Sequence, residues 1–251
     1  MSHAYDGRFY EWVHLTARRS AHALLPLVKQ QVRPASILDV GCGQGAWLAV
    51  WSELGAVEAY GLDGDHVNKD ALLIPRERFQ AVDLRKPWSI GRRFDMVQSL
   101  EVAEHLPAAS AETFVQCLCA HGDVVLFSSA QPGQGGLGHV NERKLSYWAG
   151  LFAANGYAAY DSIRPLIVRQ TVIDPWYRFN TLLFANPAGA VRLDASLQSR
   201  KVDELADLDR GGDALWHLRR ALLRTLPEPA VTFLSRLRYR LVVGYQNKRE
   251  R

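Results

Sequence analysis

One segment constrains this chain more than any other: Ile37-Leu38-Asp39-Val40 running into Gly41-Cys42-Gly43-Gln44-Gly45. A short apolar run bounded by glycines reads as a buried strand. Glycines at alternate positions supply a turn with positive φ and let backbone approach a ligand closely. The next stretch, 46–55, is apolar at helical spacing and is closed by Gly55. Strand, glycine turn and helix together form the opening unit of a nucleotide-binding α/β fold. Gly41, Gly43 and Ala46 also fit the dinucleotide fingerprint, so the loop alone leaves open which nucleotide it holds.

The pattern repeats downstream. Residues 57–65, 78–84, 94–106 and 123–130 read as four more strands, with a helix from about Pro107 to His121 between the last two. Strands alternating with helices predict a parallel sheet covered on both faces. Residues 131–142 hold Pro132, Gly133, Gly135, Gly136 and Gly138 and must be a loop; lying directly after a central strand, it is a candidate site loop. A helix is expected over 143–157, then two strands over 157–169 and 177–186 as an antiparallel edge. Before the first strand, Phe9, Trp12, Val13 and Thr16, then Ala21, Leu24, Leu25 and Val28, predict helix up to Pro34. Beyond residue 190, three amphipathic patterns follow: Leu197, Val202, Leu205, Leu208; Leu215, Leu218, Leu222, Leu226; and Val231, Leu234, Leu237, Leu241, with Pro227 and Pro229 between the last two.

Acidic residues sit at the ends of these strands. Asp39 stands two residues before the first glycine, where a carboxylate can meet an ammonium group. Asp63, followed by Gly64, ends the second strand eighteen residues beyond Gly45, a position suited to ribose hydroxyls. Asp83-Leu84 ends the third strand, where an adenine edge can be read. Glu101 and Glu104 follow the fourth. In this order the pieces resemble the class I S-adenosylmethionine (SAM) methyltransferases over roughly residues 35–130. The resemblance implies SAM as co-substrate or sole substrate. It places Asp39 and Gly41, Cys42, Gly43 and Gly45 at the methionine part, Asp63 with Gly64 at the ribose, Asp83 and Leu84 at the adenine, and Glu101 beside them.

A narrower bacterial subfamily, known mostly as methyltransferases and found largely in natural-product or glycan gene clusters, is similar over about residues 5–186. The similarity lies in Tyr5-Asp6, Phe9-Tyr10, Ser99 to Leu106, Gly138 to Glu142, Ser146-Tyr147-Trp148 and Asp174 to Asn180. Around Arg143–Leu145 and Val168–Ile173 this chain lacks the tryptophan and proline expected there. The azetidine-2-carboxylate synthases, which cyclise SAM itself and release methylthioadenosine, resemble it in the same segments. Their likeness marks Asn141 and Tyr177 as catalytic, holding a neutral amine through a carbonyl oxygen and a hydroxyl. His105 and His139 complete the candidate catalytic set, each having a surface role as its plain alternative. Trp148, at helical spacing with Leu145, Leu151 and Phe152, reads as core.

The expected protein is an α/β, Rossmann-like, doubly wound class I methyltransferase fold. It has an N-terminal helical lid (1–34), a SAM-binding domain (35–188) and a C-terminal helical extension (189–251). Its expected reaction is methyl transfer to a small-molecule, natural-product type substrate. The alternatives are SAM cyclisation and a non-catalytic SAM-binding scaffold. No metal is expected: His139, Glu142 and Asp95 lack ligand spacing, and Cys117 and Cys119 have no second pair. Three cysteines are too few for a disulfide framework, which points to a cytoplasmic protein. Nothing reads as a targeting segment or membrane span. The net charge of +4 is uneven: residues 191–251 carry 13 Lys/Arg against 8 Asp/Glu, and residues 1–190 carry 17 against 18. The basic extension (Arg219, Arg220, Arg224, Arg236, Arg238, Arg240, Lys248, Arg249, Arg251) is a candidate homodimer or carrier-protein contact; no nucleic-acid module accompanies it.

Overall fold

A computed structural model describes residues 7–227 except Val57, together with residues 230, 231, 233, 234 and 237; side chains are described from Thr16 onward. Tyr5-Asp6, the side chains of Phe9, Tyr10, Trp12 and Val13, Pro229, Leu241 and the basic residues Arg236, Arg238, Arg240, Lys248, Arg249 and Arg251 lie outside the described residues.

In chain order the elements are α1 (Gly7–Val32), β1 (Ser36–Val40), α2 (Ala46–Glu53), β2 (Glu58–Asp63), β3 (Phe79–Ala81), β4 (Met96–Leu100), α3 (Ala111–His121), β5 (Val124–Ser128), α4 (Leu145–Ala154), β6 (Ala158–Tyr160), α5 (Arg164–Ile167), α6 (Pro175–Asn180), β7 (Leu182–Ala185), α7 (Pro187–Arg192) and α8 (Ala214–Arg224). The seven strands form one sheet in the order β3-β2-β1-β4-β5-β7-β6. The first five are parallel, and β7 enters antiparallel between β5 and β6. The order reverses between β1 and β4, and in such sheets the crevice beyond the strand ends at the reversal is where ligands bind.

Both faces of the sheet are dry. Ile37, Met96, Val124 and Leu126 face one way, against Leu24, Leu25 and Val28 of α1 and Leu48 and Trp51 of α2. Leu38, Val97, Val125 and Phe127 face the other way, against Phe114 and Leu118 of α3 and Trp148 and Phe152 of α4. Adjacent residues of a strand thus serve opposite layers, which is why these strands read as continuous apolar runs. Trp148 packs on Phe127, as its helical spacing predicts.

Three expectations are corrected. Residues 177–181 are not strand: Asp174 precedes Pro175 at the first helical turn, so α6 carries Trp176, Tyr177 and Phe179, and β7 begins only at Leu182. A proline with preset φ at that position favours helix. Likewise the strand expected over 157–169 stops at Tyr160, and Pro165 sits in the first turn of α5. The run Leu197 to Leu208 forms two 3-10 turns, Ala195–Arg200 and Leu205–Arg210, rather than an α-helix. These turns join the sheet edge: Val202 N donates to Ala159 O, and Arg164 donates to Leu208 O while pairing with Asp161. In α8 the buried residue is Trp216, against Phe179. The leucines of its amphipathic pattern point outward, Leu215 being 74% exposed.

Phe152 is fully buried, stacked on Phe184 at 4.0 Å and edge-on to Phe127 at 5.3 Å. Phe152→Ala should therefore cost about 3–5 kcal/mol in urea unfolding, through the lost ring and the cavity left behind.

Candidate functional site

The site residues gather at the carboxyl ends of the parallel strands. Asp39 is the penultimate residue of β1, 3% exposed, and its Oδ2 has no hydrogen-bond partner among the described residues. Burial, and secondarily the nearby Asp63, raise its pKa to about 7. Gly41, Gly43 and Gly45 all adopt positive φ. A Cβ on Gly41 would lie 2.4 Å from Val102, so the loop after β1 touches the turn after β4 only because no side chain intervenes. At Gly43 a Cβ would meet nothing within 4 Å: the loop there borders open space. The Cys42 thiol points away from that space, toward Gly61 of β2, and burial raises its pKa.

Asp63 ends β2 and accepts from Gly43 N at 2.7 Å and Gly64 N at 2.6 Å, tying the second strand to the glycine loop. Asp83 turns outward. It receives Arg85 at 2.8 Å, and that guanidinium holds the carboxyl well below the usual range. Leu84 is buried beside it. The expected adenine pair thus splits into one buried apolar residue and one carboxylate engaged by arginine.

Past β4 lies a polar cluster that sequence reasoning resolved only in part. Glu101 has φ +57, unusual for a residue with a side chain, and its N–H donates to Ser128. Its carboxyl accepts from Gln134 Nε2 at 2.5 Å and from Asn180 Nδ2 at 3.3 Å. Asn180 in turn bonds Gln134 and Gln131. Burial and the neighbouring Glu104 raise the Glu101 pKa to about 8; burial raises that of Glu104 to about 7. Glu104 accepts from Ser129 Oγ through Oε2, and its Oε1 is unpartnered.

The glycine-rich loop at 131–142 folds back on this cluster. Val140 N and Asn141 N both donate to Glu104 O. Glu142 organises the loop by accepting from Gly133 N and Gly135 N, and pairs with His139 Nδ1 at 2.9 Å. His105 stands edge-on to His139 at 4.9 Å, its Nδ1 3.2 Å from Gly138 O. His105 keeps exposed surface, yet the chain packed around its ring, and secondarily His139, lower its pKa to about 4, so the ring is neutral. The Asn141 carbonyl oxygen accepts from Arg143 Nε at 2.9 Å, while its amide nitrogen has no partner. Tyr177, on α6, packs edge-on to Trp47 of α2 at 4.9 Å. Burial first, then Glu101 and Asp174, push its phenol above its ordinary pKa, so it stays neutral.

All four candidate catalytic residues border the end of β4 or the loop that covers it, except that Tyr177 reaches it from α6. Sequence reasoning missed Gln131, Gln134, Asn180 and Trp47. The Asn180 amide carried a signal, being the polar end of the aromatic segment beginning at Asp174.

The chain matches the family model described as a methyltransferase domain over residues 8–167. Among solved structures, the methyltransferase domain of bacterial CtHen1-C is 18% identical, with a TM-score of 0.50, 68% of this chain and 98% of that chain covered. Magnesium protoporphyrin IX methyltransferase from Synechocystis PCC 6803, with bound SAH, is 16% identical, with a TM-score of 0.49 and coverages of 74% and 90%. Streptomyces venezuelae DesVI is 23% identical, with a TM-score of 0.40; half of this chain aligns, spanning 58% of that protein's chain. No curated protein matches. With the family match extending from α1 to the end of α5 and the sheet reversing beside the glycine loop, the chain belongs to the methyltransferase-domain family and has its Rossmann-like α/β fold.

Proposed function

We propose that the chain transfers the methyl group of SAM to a small-molecule, natural-product type acceptor bound between the end of β4 and the loop over residues 131–142. The observation that carries this reading is a pair of buried polar groups with no partner among the described residues: Asp39 Oδ2 at the end of β1 beside the glycine loop, and Asn141 Nδ2 on the loop that folds back on the end of β4.

The residues fit SAM. Asp39 offers a carboxylate to its ammonium group, Gly41 to Gly45 with Cys42 offer backbone beside its methionine part, Asp63 and Gly64 face its ribose, and Leu84 next to Asp83 offers an apolar wall to its adenine. SAM, when bound, supplies an electrophilic methyl on a sulfonium whose departure as a neutral thioether drives the displacement. The chain's part is alignment and exclusion of water. Glu101 stands where the SAM side meets the acceptor side, and the neutral Tyr177 and Asn141 orient the acceptor by hydrogen bonds. His105 and His139 border the same side.

Cyclisation of SAM is the competing outcome. It asks the Asn141 carbonyl oxygen to hold an amine, and that oxygen is already engaged by Arg143. Incubation with SAM alone separates the two. The methyltransferase reading expects no turnover until an acceptor is supplied, then S-adenosylhomocysteine in step with methylated product. Methylthioadenosine formed without an acceptor would overturn it. SAM binding without turnover across a broad acceptor panel would favour a scaffold.

Two further outcomes follow from the geometry. Asp39 meets an ammonium group only when ionised, and below its pKa the ionised fraction falls tenfold per unit. SAM affinity measured by calorimetry should therefore rise with pH up to about 7 and level off above it. Asp39→Asn should flatten that profile and weaken binding about tenfold or more. Tyr177→Phe and Asn141→Ala should lower kcat about 10- to 100-fold while changing the SAM dissociation constant less than about threefold. Equal losses in both would assign these residues to binding or folding.

A further inference from the structure

The cluster over the end of β4 contains more than an acceptor wall. Glu104, His105 and His139 each offer one ligand atom, and these atoms all lie within 4.8 Å of one another. Glu104 is 0% exposed, and its Oε1 is a buried carboxylate oxygen with no partner among the described residues. A buried carboxylate oxygen left bare is costly and calls for a cation or a donor.

The two imidazoles are already oriented from behind. His105 Nδ1 faces the Gly138 carbonyl at 3.2 Å, and His139 Nδ1 faces the Glu142 carboxylate at 2.9 Å. Both partners are acceptors, so the tautomer with its proton on Nδ1 satisfies each of these bonds and offers Nε2 as the ligand atom. Histidines that ligate metals are held in this way, the far nitrogen donating to a carboxylate or a backbone carbonyl. Glu142 is itself pinned by Gly133 N and Gly135 N, so the support extends a further step into the loop. Gly136 completes the arrangement: a Cβ there would lie 2.1 Å from His139 Nε2, so the ring keeps its place only beside a glycine.

We infer that Glu104, His105 and His139 bind a first-row divalent transition cation. Two imidazoles and one carboxylate suit manganese, iron, cobalt, nickel or zinc better than magnesium or calcium. Three protein ligands leave coordination positions open, as in sites that bind substrate rather than merely brace a fold. The chain next to these ligands includes Glu101, which faces Glu104, and Asn141, whose N–H donates to Glu104 O. On the methyl-transfer reading proposed above, on which this clause alone rests, the acceptor is one that presents an oxygen ligand to the cation.

Metal binding is read without SAM or acceptor, so it stands or falls apart from the reaction. The full chain, freed of metal by chelation, is titrated with Co²⁺ and followed by visible absorbance and calorimetry. We expect one cation per chain, with d–d bands that respond to added acceptor oxygen ligands. His139→Ala and His105→Ala should abolish the bands. Glu142→Gln and Gly136→Ala, which leave all three ligands in place, should weaken binding about 10- to 100-fold, as loss of an orienting partner does. Unchanged far-UV circular dichroism in each variant excludes unfolding as the cause. Absence of Co²⁺, Zn²⁺ or Mn²⁺ binding by the intact chain would overturn the site, as would binding that survives His139→Ala and Gly136→Ala. Tight metal binding with no methyl transfer would instead count against the proposed reaction.

Discussion

Two loops touch in this fold where no methyl group would fit. The backbone of Gly41, at the exit of β1, lies against Val102, at the exit of β4; a Cβ between them would sit 2.4 Å from the valine. Gly41 N and Cys42 N both donate to Leu62 O of β2, so the same glycine turn is anchored to the next strand as well. This contact sits at the reversal of strand order, the one place where the helices on either side of the sheet diverge and leave a crevice. Asp39 and Asp63 belong to β1 and β2, on one side of this contact in the chain's sheet order, and Glu101 and Glu104 follow β4 on the other. A larger residue at position 41 would need both a positive φ and room that Val102 occupies, and so would shift the two loops.

On the β4 side, a strained residue does the joining. Glu101 is held at φ +57, a conformation that costs a non-glycine residue on the order of 1 kcal/mol, by two bonds from its N–H to Ser128 and by side-chain bonds to Gln134 and Asn180. One residue thereby links β4 and β5 through its N–H, and the 131–142 loop and α6 through its carboxyl. Strain kept in place by surrounding bonds in this way is typical of functional sites, because the geometry is then set before a ligand arrives. Glu101 and Glu104 share the dry end of β4, and their mutual repulsion adds to burial in raising the pKa of Glu101.

Much of this was legible in the sequence because it is local. Strand, glycine turn and helix follow one another within residues 36–53, and each acidic residue stands at or shortly past the end of a strand marked by its apolar run. Tyr177 was picked out as a candidate from the sequence, but not as a helical residue. Residues 175–180 span fewer than two helical turns, too short for periodicity to separate helix from strand, and the deciding cue was the proline after Asp174. The grouping of Glu104 and His105 with His139 was not legible at all. They are thirty-odd residues apart, and what joins them is two backbone bonds from Val140 and Asn141 to Glu104 O, which no side-chain spacing records.

The charge of the C-terminal region has the same lesson in electrostatic form. Counted along the chain, its basic residues form one block; placed in the fold, they do different things. Arg192 pairs at 2.8 Å with Asp95, whose other oxygen accepts from Ala35 N and Ser36 N, so it helps hold the start of β1. Arg220 donates to Pro132 O at the root of the glycine-rich loop, and burial lowers its pKa. Gly133 lies so close to the backbone of Arg220 that a Cβ there would collide with it. Trp216, one turn earlier, is buried on Phe179, in the same short helix as Tyr177. Helix α8 therefore rests on both elements that cover the crevice, the loop carrying His139 and Asn141 and the helix carrying Tyr177. The part of the extension that forms α8 is thus packed onto the candidate site rather than set apart from it.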